Sequence, residues 1–314
     1  MNEIERIKFI QKIARLYYME DMNQDEIADK FNIHRVQVSR YLQKAKKLNI
    51  VEIKVNVMKE GHQDLEREIE KKFGVKECIV VPSHENLTEI LRDMASSLVG
   101  IFERLLNDGD LLGVNWGFTL KGVASLMKTG KKIKIKVIPI CGGIGKIDTD
   151  IHTNFIAKQI AEVFGGSSYV INSPAIVDSK KVKDMLLNES SNKEYFDLLK
   201  HLNCLLFSFS NIDPDASHVR YGVIKEEEAA YLKSLGVIGD VNLDFIDKNG
   251  QHVPNDVFDR VIALPISEIK KIRTVIGIAV GNRKKEIVKA LLKGQIVNIL
   301  IIDREIADHL IEDD

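Results

Sequence analysis

Three glycine-containing turns each follow an apolar segment and could bring backbone N–H groups to an anionic ligand. Residues 115–119 (NWGFT) lead into a helix, where free N–H groups and the Thr119 hydroxyl would suit a phosphate. Residues 142–145 (GGIG) would let the backbone approach a ligand closely because side chains are missing. Residues 281–285 (GNRKK) add cations that would complement an anion. Close packing is the alternative for any one turn, but the three together favour a ligand site.

A second set of polar side chains lies within residues 34–54, where six Lys or Arg accompany one acidic residue, Glu52. Arginine can form two hydrogen bonds with guanine and glutamine can do so with adenine, whereas lysines suit phosphates. A solvated polar helix face is the alternative. The residues expected to contact DNA are His34, Arg35, Val36, Gln37, Ser39, Arg40, Gln43, Lys44 and Lys47.

The elements around these side chains have the spacing of a helix-turn-helix. Asn23 is an expected N-cap, with Glu26 at the third helical position, and Asn32 can adopt the left-handed conformation that a sharp turn needs. A second helix is expected over residues 35–48, placed to lie in the major groove of DNA. A preceding helix is expected over residues 3–19. Its expected buried face consists of Ile4, Ile7, Ile10, Ala14 and Tyr17.

The sequence divides into two parts after this module. Residues 51–57 alternate as a strand would, and residues 59–62, with Gly61, are the expected hinge. We therefore expect a DNA-binding domain at 1–57 and an effector domain at 58–314. One helix-turn-helix reads only a few base pairs, so the larger domain is expected to supply oligomerisation on a two-fold operator.

Strand-like and helix-like segments alternate in residues 58–314, which predicts an α/β domain with a mostly parallel sheet. Ligands of such sheets bind at the carboxyl ends of the strands, where the glycine turns fall. The expected strands are 78–81, 111–115, 133–140, 204–209, 274–280 and 297–302, and the expected helices are 63–73, 87–107, 119–127, 154–164 and 283–293.

Composition excludes several classes of protein. The chain has 314 residues, 45% of them hydrophobic, and a net charge of −1, which fits a globular protein of about two domains. Charge is unevenly shared, because residues 1–57 carry 11 Lys or Arg and 8 Asp or Glu, against 34 and 38 in the remainder. Neither a membrane-spanning run nor a secretory signal is found in the sequence. Three cysteines without a CxxC pair argue against disulfides and a zinc site, so a cytoplasmic protein without metal is expected.

Nucleotide cofactors are not predicted. A dinucleotide fingerprint starting at Gly143 would need glycine where Asp148 stands. A P-loop ending at Lys146 would need glycine at Ile140 and a hydroxyl residue at Ile147. The sequence therefore supports neither NAD nor ATP, and no cofactor is expected.

The chain resembles the SorC-type, sugar-responsive bacterial transcription regulators over nearly its full length. The matching segments are 14–18 (ARLYY), 38–40 (VSR), 113–117 (GVNWG), 142–144 (GGI), 239–240 (GD) and 300–303 (LIID). The resemblance implies a Rossmann-like effector domain similar to ribose-phosphate isomerases and glucosamine-phosphate deaminases. It also implies a phosphorylated sugar or polyol as effector and a dimer or tetramer on a palindromic operator.

The resemblance also assigns roles to single residues. Trp116, Gly117 and Thr119 look like a phosphate cradle, Lys284 like the cation that contacts the ligand, and Asn154 and Asp240 like partners of sugar hydroxyls. The full implied set is Trp116, Gly117, Thr119, Cys141, Gly142, Gly143, Asn154, Asp240 and Lys284.

Three positions depart from the family pattern. Cys141 stands where a relative has a lysine that bonds covalently to its sugar; a thiol cannot form a Schiff base, so non-covalent binding is expected. Residues 207–210 (FSFS) replace a strand end that usually carries glycine, and His34 replaces a serine cap.

An enzyme is the alternative to a regulator. A sugar-phosphate isomerase or deaminase carrying a DNA-binding domain would need an acid–base pair near the phosphate turn. Asp240 and His252 are available, but the sequence places no tight carboxylate or histidine cluster at the glycine turns. A Cys141 nucleophile is a third option, against which an inert, packed thiol is favoured. The prediction is a regulator without catalytic residues.

Overall fold

The computed structural model describes residues 3–52, 62–143 and 152–312. The chain forms two compact units, Met1–Lys59 and Glu60–Asp314. Most of the expected strand at 51–57 and the expected hinge glycine, Gly61, lie outside the described residues.

The first unit contains three helices, α1 (Glu3–Tyr18), α2 (Gln24–Phe31) and α3 (Arg35–Lys47). The predicted capping box is present, since the Asn23 side chain accepts from the Glu26 N–H at 2.9 Å and Glu26 accepts from the Asn23 N–H at 2.7 Å. Asn32 ends α2 with a φ of 54°. The helix-turn-helix is therefore confirmed, with the turn residues that the sequence indicated.

The predicted buried face of α1 is partly wrong. Ile4 and Ile7 are 67% and 38% exposed, and the buried residues of α1 begin at Ile10. Ile13 and Leu16, which the prediction omitted, share a core cluster with residues of α2 and α3. The helical period was identified correctly, but only the later turns of α1 lie against the other two helices.

The second unit is an α/β domain whose elements we number in chain order. Its helices are α4 (Gln63–Phe73), α5 (Leu87–Leu105), α6 (Phe118–Leu126), α7 (Thr153–Phe164), α8 (Lys180–Asn188), α9 (Ser190–Leu199), α10 (Ser217–Arg220), α11 (Glu226–Ser234), α12 (Ile266–Ile269), α13 (Lys285–Lys293) and α14 (Arg304–Glu312). Its strands are β1 (Glu77–Val81), β2 (Leu111–Val114), β3 (Lys136–Pro139), β4 (Ser167–Ser168), β5 (Cys204–Ser208), β6 (Ser210–Asn211), β7 (Gly239–Val241), β8 (Asp244–Ile246), β9 (Thr274–Ala279) and β10 (Ile299–Asp303).

Seven of these strands form one parallel sheet in the order β1-β10-β9-β5-β2-β3-β4. Large buried apolar clusters line both of its faces, as expected when helices cover a parallel sheet on each side. Strand β5 lies between β2 and β9, so the carboxyl ends of these three strands are neighbours. The predicted fold class is confirmed.

A small antiparallel sheet, β6-β7-β8, was not predicted. It follows directly from the end of β5 and places β7 beside β6, with Ser210 opposite Asp240. The predicted strand at 133–140 is also too long, because its first three residues precede β3. The predicted helix at 283–293 begins only at Lys285, after a 3-10 turn over Asn282–Lys284.

Candidate functional site

A cavity of about 140 Å³ opens where β2 and β5 end. Two of the three glycine turns meet here, since Gly117 precedes α6 and Lys284 ends the turn after β9. The cavity is lined by Asn115, Trp116, Gly117, Phe118, Thr119, Ser208, Phe209, Ser210, Ser217, His218, Asp240 and Lys284.

The turn after β2 is fixed by a side-chain to backbone pair. The Asn115 amide donates to the Ser208 carbonyl at 2.7 Å and accepts from the Ser208 N–H at 3.1 Å. Gly117 has a φ of 136°, which favours glycine, and a Cβ there would lie 2.8 Å from the Ser208 Oγ. This turn starts the nine-residue helix α6, whose first N–H groups have no partner within the helix.

Lys284 brings a cation to the same point. Its Nζ donates to Thr119 Oγ1 at 3.3 Å and lies 5.8 Å from the centre of the Phe209 ring. Burial lowers the Lys284 pKa to about 8, an effect that Asp240 and Asp303 partly oppose. An anion beside Lys284 would stabilise the charged ammonium group and so offset the effect of desolvation on its pKa.

Asp303, at the end of β10, positions the turn that carries Lys284. One carboxylate oxygen accepts from the Gly281 N–H at 2.5 Å, and the other accepts from the Ile306 N–H at 3.0 Å. The carboxylate therefore ties the start of α14 to the turn, so that two neighbouring strand ends support the position of Lys284.

Asp240 and His218 form a buried pair in the cavity wall. His218 Nδ1 lies 3.4 Å from Asp240 Oδ1, and the second Asp240 oxygen accepts from the Leu243 N–H at 2.8 Å. Burial raises the Asp240 pKa and lowers the His218 pKa. Both imidazole nitrogens and Asp240 Oδ1 lack a hydrogen bond within the part of the chain that the structure describes. Such groups are costly when unpaired and can be satisfied by a ligand.

An outer groove of about 440 Å³ adjoins the cavity and shares Ser210, Ser217 and Lys284 with it. The turn over residues 281–284 forms one wall, where Arg283 is paired with Asp215. The third glycine turn, whose cations were predicted to complement an anion, therefore lines this groove.

The DNA-binding candidates lie on the outer side of α3. Val38, Leu42 and Ala45 are buried, which places the intervening polar residues outward. Ser39 is half-buried, and the exposed candidates are His34, Arg35, Val36, Gln37, Arg40, Gln43, Lys44 and Lys47.

Two of these side chains already make contacts within the module. Arg35 Nε lies 3.6 Å from an Asp25 carboxylate oxygen, and Gln37 Oε1 accepts from the His34 N–H at 3.0 Å. The Gln37 side chain therefore stabilises the start of α3, where His34 is the N-cap residue.

Both units match models of known protein families. Residues 58–312 match a family model described as "Putative sugar-binding domain", and residues 9–85 match one described as "Putative helix-turn-helix protein, YlxM / p13 like". The sorbitol operon regulator of Klebsiella pneumoniae is 30% identical over 318 residues, covering 99% of this chain and 100% of that protein. The deoxyribonucleoside regulator of Bacillus subtilis is 30% identical over 304 residues, covering 96% of each.

The chain belongs to the SorC-type family of bacterial transcription regulators. The solved full-length sorbitol operon regulator from Klebsiella pneumoniae matches with a TM-score of 0.75 at 28% identity, covering 98% of this chain and 99% of that one. A DeoR family regulator from Listeria monocytogenes matches with a TM-score of 0.72 at 26% identity, covering 79% of this chain and 98% of that one. This SorC-type protein is therefore a transcription regulator that combines a helix-turn-helix with a sugar-binding domain.

In this SorC-type regulator, Gly142 and Gly143, the described residues of the second glycine turn, are absent from the cavity lining. The Gly142 N–H donates to the Ile262 carbonyl at 2.9 Å, and the Gly143 N–H donates to the Ser173 carbonyl at 2.7 Å. A Cβ on Gly142 would lie 2.2 Å from the Pro174 carbonyl oxygen. Gly142 therefore permits close packing against the Pro174 backbone, and Gly143 permits close packing against the His152 side chain. The rest of the turn, residues 144–145, lies outside the described residues.

Cys141 and Asn154 are also absent from the cavity lining. The Cys141 thiol is buried in an apolar cluster with Trp116, and burial raises its pKa to about 12, which makes it a poor nucleophile. The Asn154 amide exchanges two 3.0 Å hydrogen bonds with the Ile171 backbone. Its predicted role as a partner of sugar hydroxyls is thus not matched by its contacts here.

Asp240 and His252, the two acid–base candidates of the enzyme alternative, do not face each other in the structure. His252 Nδ1 lies 2.5 Å from Asp244, beside a separate cavity of about 340 Å³, whereas Asp240 faces His218. One histidine and one carboxylate, His218 and Asp240, thus line the cavity beside the Gly117 turn, where the sequence indicated no tight carboxylate or histidine cluster. Sequence reasoning missed His218, which lies in the four-residue helix α10, because so short a helix shows no hydrophobic period.

No helix among those described is long and apolar enough to cross a membrane. No group of three or more His, Cys, Asp or Glu within 3–52, 62–143 and 152–312 is arranged to hold a metal ion.

Proposed function

We propose that this regulator binds a palindromic operator through α3, and that a phosphorylated sugar or polyol changes its DNA affinity. The effector binds non-covalently in the cavity at the ends of β2 and β5. One observation carries the proposal: the Lys284–Thr119 pair lies beside the Gly117 turn, in a cavity whose wall also contains buried polar atoms that have no hydrogen bond within the described residues.

The phosphate subsite consists of α6 and Lys284. Free N–H groups at a helix start, aided by the helix dipole, favour an anion. Thr119 adds a hydroxyl that can donate, and Lys284 adds a positive charge in a desolvated position. These groups come from two chain segments and point to one place, which favours a phosphate over a neutral group.

The hydroxyl subsite consists of Asp240 and His218. Asp240 Oδ1 accepts hydrogen bonds and either imidazole nitrogen can donate or accept, which suits hydroxyl groups. A molecule with a phosphate at one end and hydroxyls near it would satisfy both subsites. The names of the two relatives, a sorbitol operon regulator and a deoxyribonucleoside regulator, accord with such an effector.

We propose non-covalent binding because Cys141 stands at the position where the resemblance implies a covalent lysine, and because Lys284 is assigned to the phosphate. A Schiff base requires an amine, and this buried thiol cannot supply one. The effector then binds reversibly, and its effect on DNA affinity depends on free concentration.

An operator with two-fold symmetry follows from the size of the DNA-binding unit. A single α3 covers only a few base pairs, so specific binding requires two copies of the chain. We propose a homodimer or homotetramer acting in the cytoplasm, with oligomerisation supplied by the α/β domain.

A sugar-phosphate isomerase or deaminase is the second candidate. The buried His218–Asp240 pair favours it, because an acid–base pair beside a phosphate subsite is what enolisation would require. Purified protein incubated with ribose 5-phosphate or glucosamine 6-phosphate tests this, and turnover would establish an enzyme. We expect binding without turnover.

Thermal unfolding against a panel of compounds tests the effector proposal. The panel contains ribose, glucosamine and sorbitol phosphates, their unphosphorylated forms and inorganic phosphate. A true effector at 100 times its Kd should stabilise the protein by about 2.7 kcal/mol, whereas the unphosphorylated form should not. Equal stabilisation by both forms would contradict the phosphate subsite.

A further inference from the structure

Val36 is an exposed apolar side chain within a polar helix face. It is the second residue of α3 and 62% exposed, whereas Val38, two residues on, is fully buried. A β-branched residue slightly lowers helix propensity. The side chain thus gains little from packing in the free protein.

The residues on either side of Val36, Arg35 and Gln37, both contact other residues of the helix-turn-helix. Arg35 is paired with Asp25, and Gln37 accepts from the His34 N–H. Val36 therefore lies in the first turn of α3 between two residues that contact the rest of the module, while its own side chain is exposed.

We infer that Val36 contacts the 5-methyl group of a thymine in the operator, and so specifies a T·A pair. The inference rests on the proposed function, because it assumes that α3 lies in the major groove. Thymine is distinguished there from the other bases by its methyl group, which an apolar side chain can contact. Residues at the start of a recognition helix are the ones that reach base edges.

Arg40 fixes where this thymine lies. Residues 36 and 40 are one turn apart on the same exposed face of α3, about 6 Å along the helix. Base pairs are about 3.4 Å apart. If Arg40 forms two hydrogen bonds with a guanine, the thymine is expected one or two base pairs away from it.

An apolar protein partner is the other possible occupant of this face. The charges on α3 favour DNA, because its last turn contains Lys44, Lys46 and Lys47. Three lysines suit phosphates and do not suit a purely apolar contact.

Selection from a randomised duplex library, using the full-length wild-type chain, provides the test. Each thymine of the selected half-site is then replaced by deoxyuridine, which lacks only the methyl group. We expect one position per half-site at which wild type binds about fourfold more weakly, the effect of one buried methyl. V36A, which lacks the two outer methyl groups of Val36, should show a smaller preference for thymine over deoxyuridine than wild type.

Leu48→Ala is the matched control. Leu48 is 52% exposed, apolar and at the other end of α3, so L48A should retain the wild-type preference for thymine. Because Val36 and Leu48 are both exposed, both variants should unfold at the wild-type temperature. The deoxyuridine comparison uses wild-type protein, so it does not depend on the folding of a variant.

Two results would overturn the inference. If wild type selects a sequence but binds thymine and deoxyuridine equally at every position, Val36 reads no methyl group and the proposed function stands. If wild type selects no sequence at all, both the inference and the operator proposal fail.

Discussion

The ammonium group of Lys284 lies 3.3 Å from the Thr119 hydroxyl, although 165 positions separate the two residues in the sequence. Thr119 is the second residue of α6, which follows β2, and Lys284 ends the turn that follows β9. Strands β2 and β9 both pair with β5, so the sheet order alone brings these turns together. The order of the strands therefore brings the Thr119 hydroxyl and the Lys284 ammonium group close together.

Replacing Lys284 with Met should weaken effector binding by about 10- to 150-fold, the usual cost of losing a charged hydrogen bond. Thr119→Val should cost about fivefold, since a neutral hydrogen bond is lost. Calorimetric titration with the stabilising sugar phosphate measures both. Lys285→Met, next in the chain but outside the cavity lining, is the control and should bind as wild type does. Wild-type affinity in K284M would refute the phosphate subsite.

Effector affinity should fall as pH rises through about 8, where Lys284 loses its proton. The lowered pKa means that the charged form predominates below this pH and the neutral form above it. A phosphate monoester stays dianionic from pH 7 to 9, since its second pKa is about 6. We expect roughly tenfold weaker binding at pH 9 than at pH 7. Lys284→Arg, which remains charged, should bind equally at both, and a flat wild-type profile would be inconsistent with this site.

Asp240→Asn should separate stability from binding. Burial raises the Asp240 pKa, so the folded state holds a proton more tightly than the unfolded state. As the pH rises above the ordinary pKa of an aspartate, this difference lowers the free energy of unfolding of the wild-type protein. The uncharged amide of Asn at this position removes that loss. Ligand-free D240N should therefore unfold at or above the wild-type temperature at pH 7, yet bind effector at least about tenfold more weakly. A destabilised variant with normal effector affinity would indicate a purely structural role.

The large parallel sheet could be predicted from sequence because its central strands are continuous apolar runs. Strands β5, β9 and β10 are buried at every position, and each lies within two residues of its predicted bounds. The β6-β7-β8 sheet could not be predicted, since strands of two or three residues are too short to show a period.

The site was predictable where one local segment supplies both the turn and the polar group. Thr119 and Lys284 each stand within three residues of a glycine turn, and the cavity brings both together. His218 gave no such signal, because its partner Asp240 is 22 positions away on an unpredicted strand. Gly142 resembled a ligand turn because its packing partner, Pro174, is also distant in the sequence.

Gly142→Ala should destabilise the α/β domain. The new Cβ would lie 2.2 Å from a backbone carbonyl that cannot move aside cheaply. Overpacking of this kind costs about 1–3 kcal/mol. Gly100→Ala, in α5 with open space around it, should stabilise instead by about 0.5–1 kcal/mol. Chemical denaturation of both variants measures the difference, and an unchanged G142A would contradict the packing role.

Arg40→Ala should weaken binding to the selected operator by about 1–3 kcal/mol and relax specificity at one position. Lys47→Ala should weaken binding evenly across sequences and reduce the salt dependence by about one phosphate contact. Fluorescence anisotropy at several salt concentrations distinguishes the two. Arg6→Ala, exposed on α1, is the control. Equal loss on specific and random duplexes for R40A would argue against base reading.

We propose that occupancy of the cavity changes the affinity of α3 for DNA. The most direct measurement is the Kd of the full chain for its selected operator, with and without a saturating amount of the sugar phosphate that stabilises it. We predict a change of about 5- to 150-fold that is lost in K284M. A sugar phosphate that stabilises the protein but leaves the operator Kd unchanged would contradict the proposed coupling between effector binding and DNA affinity.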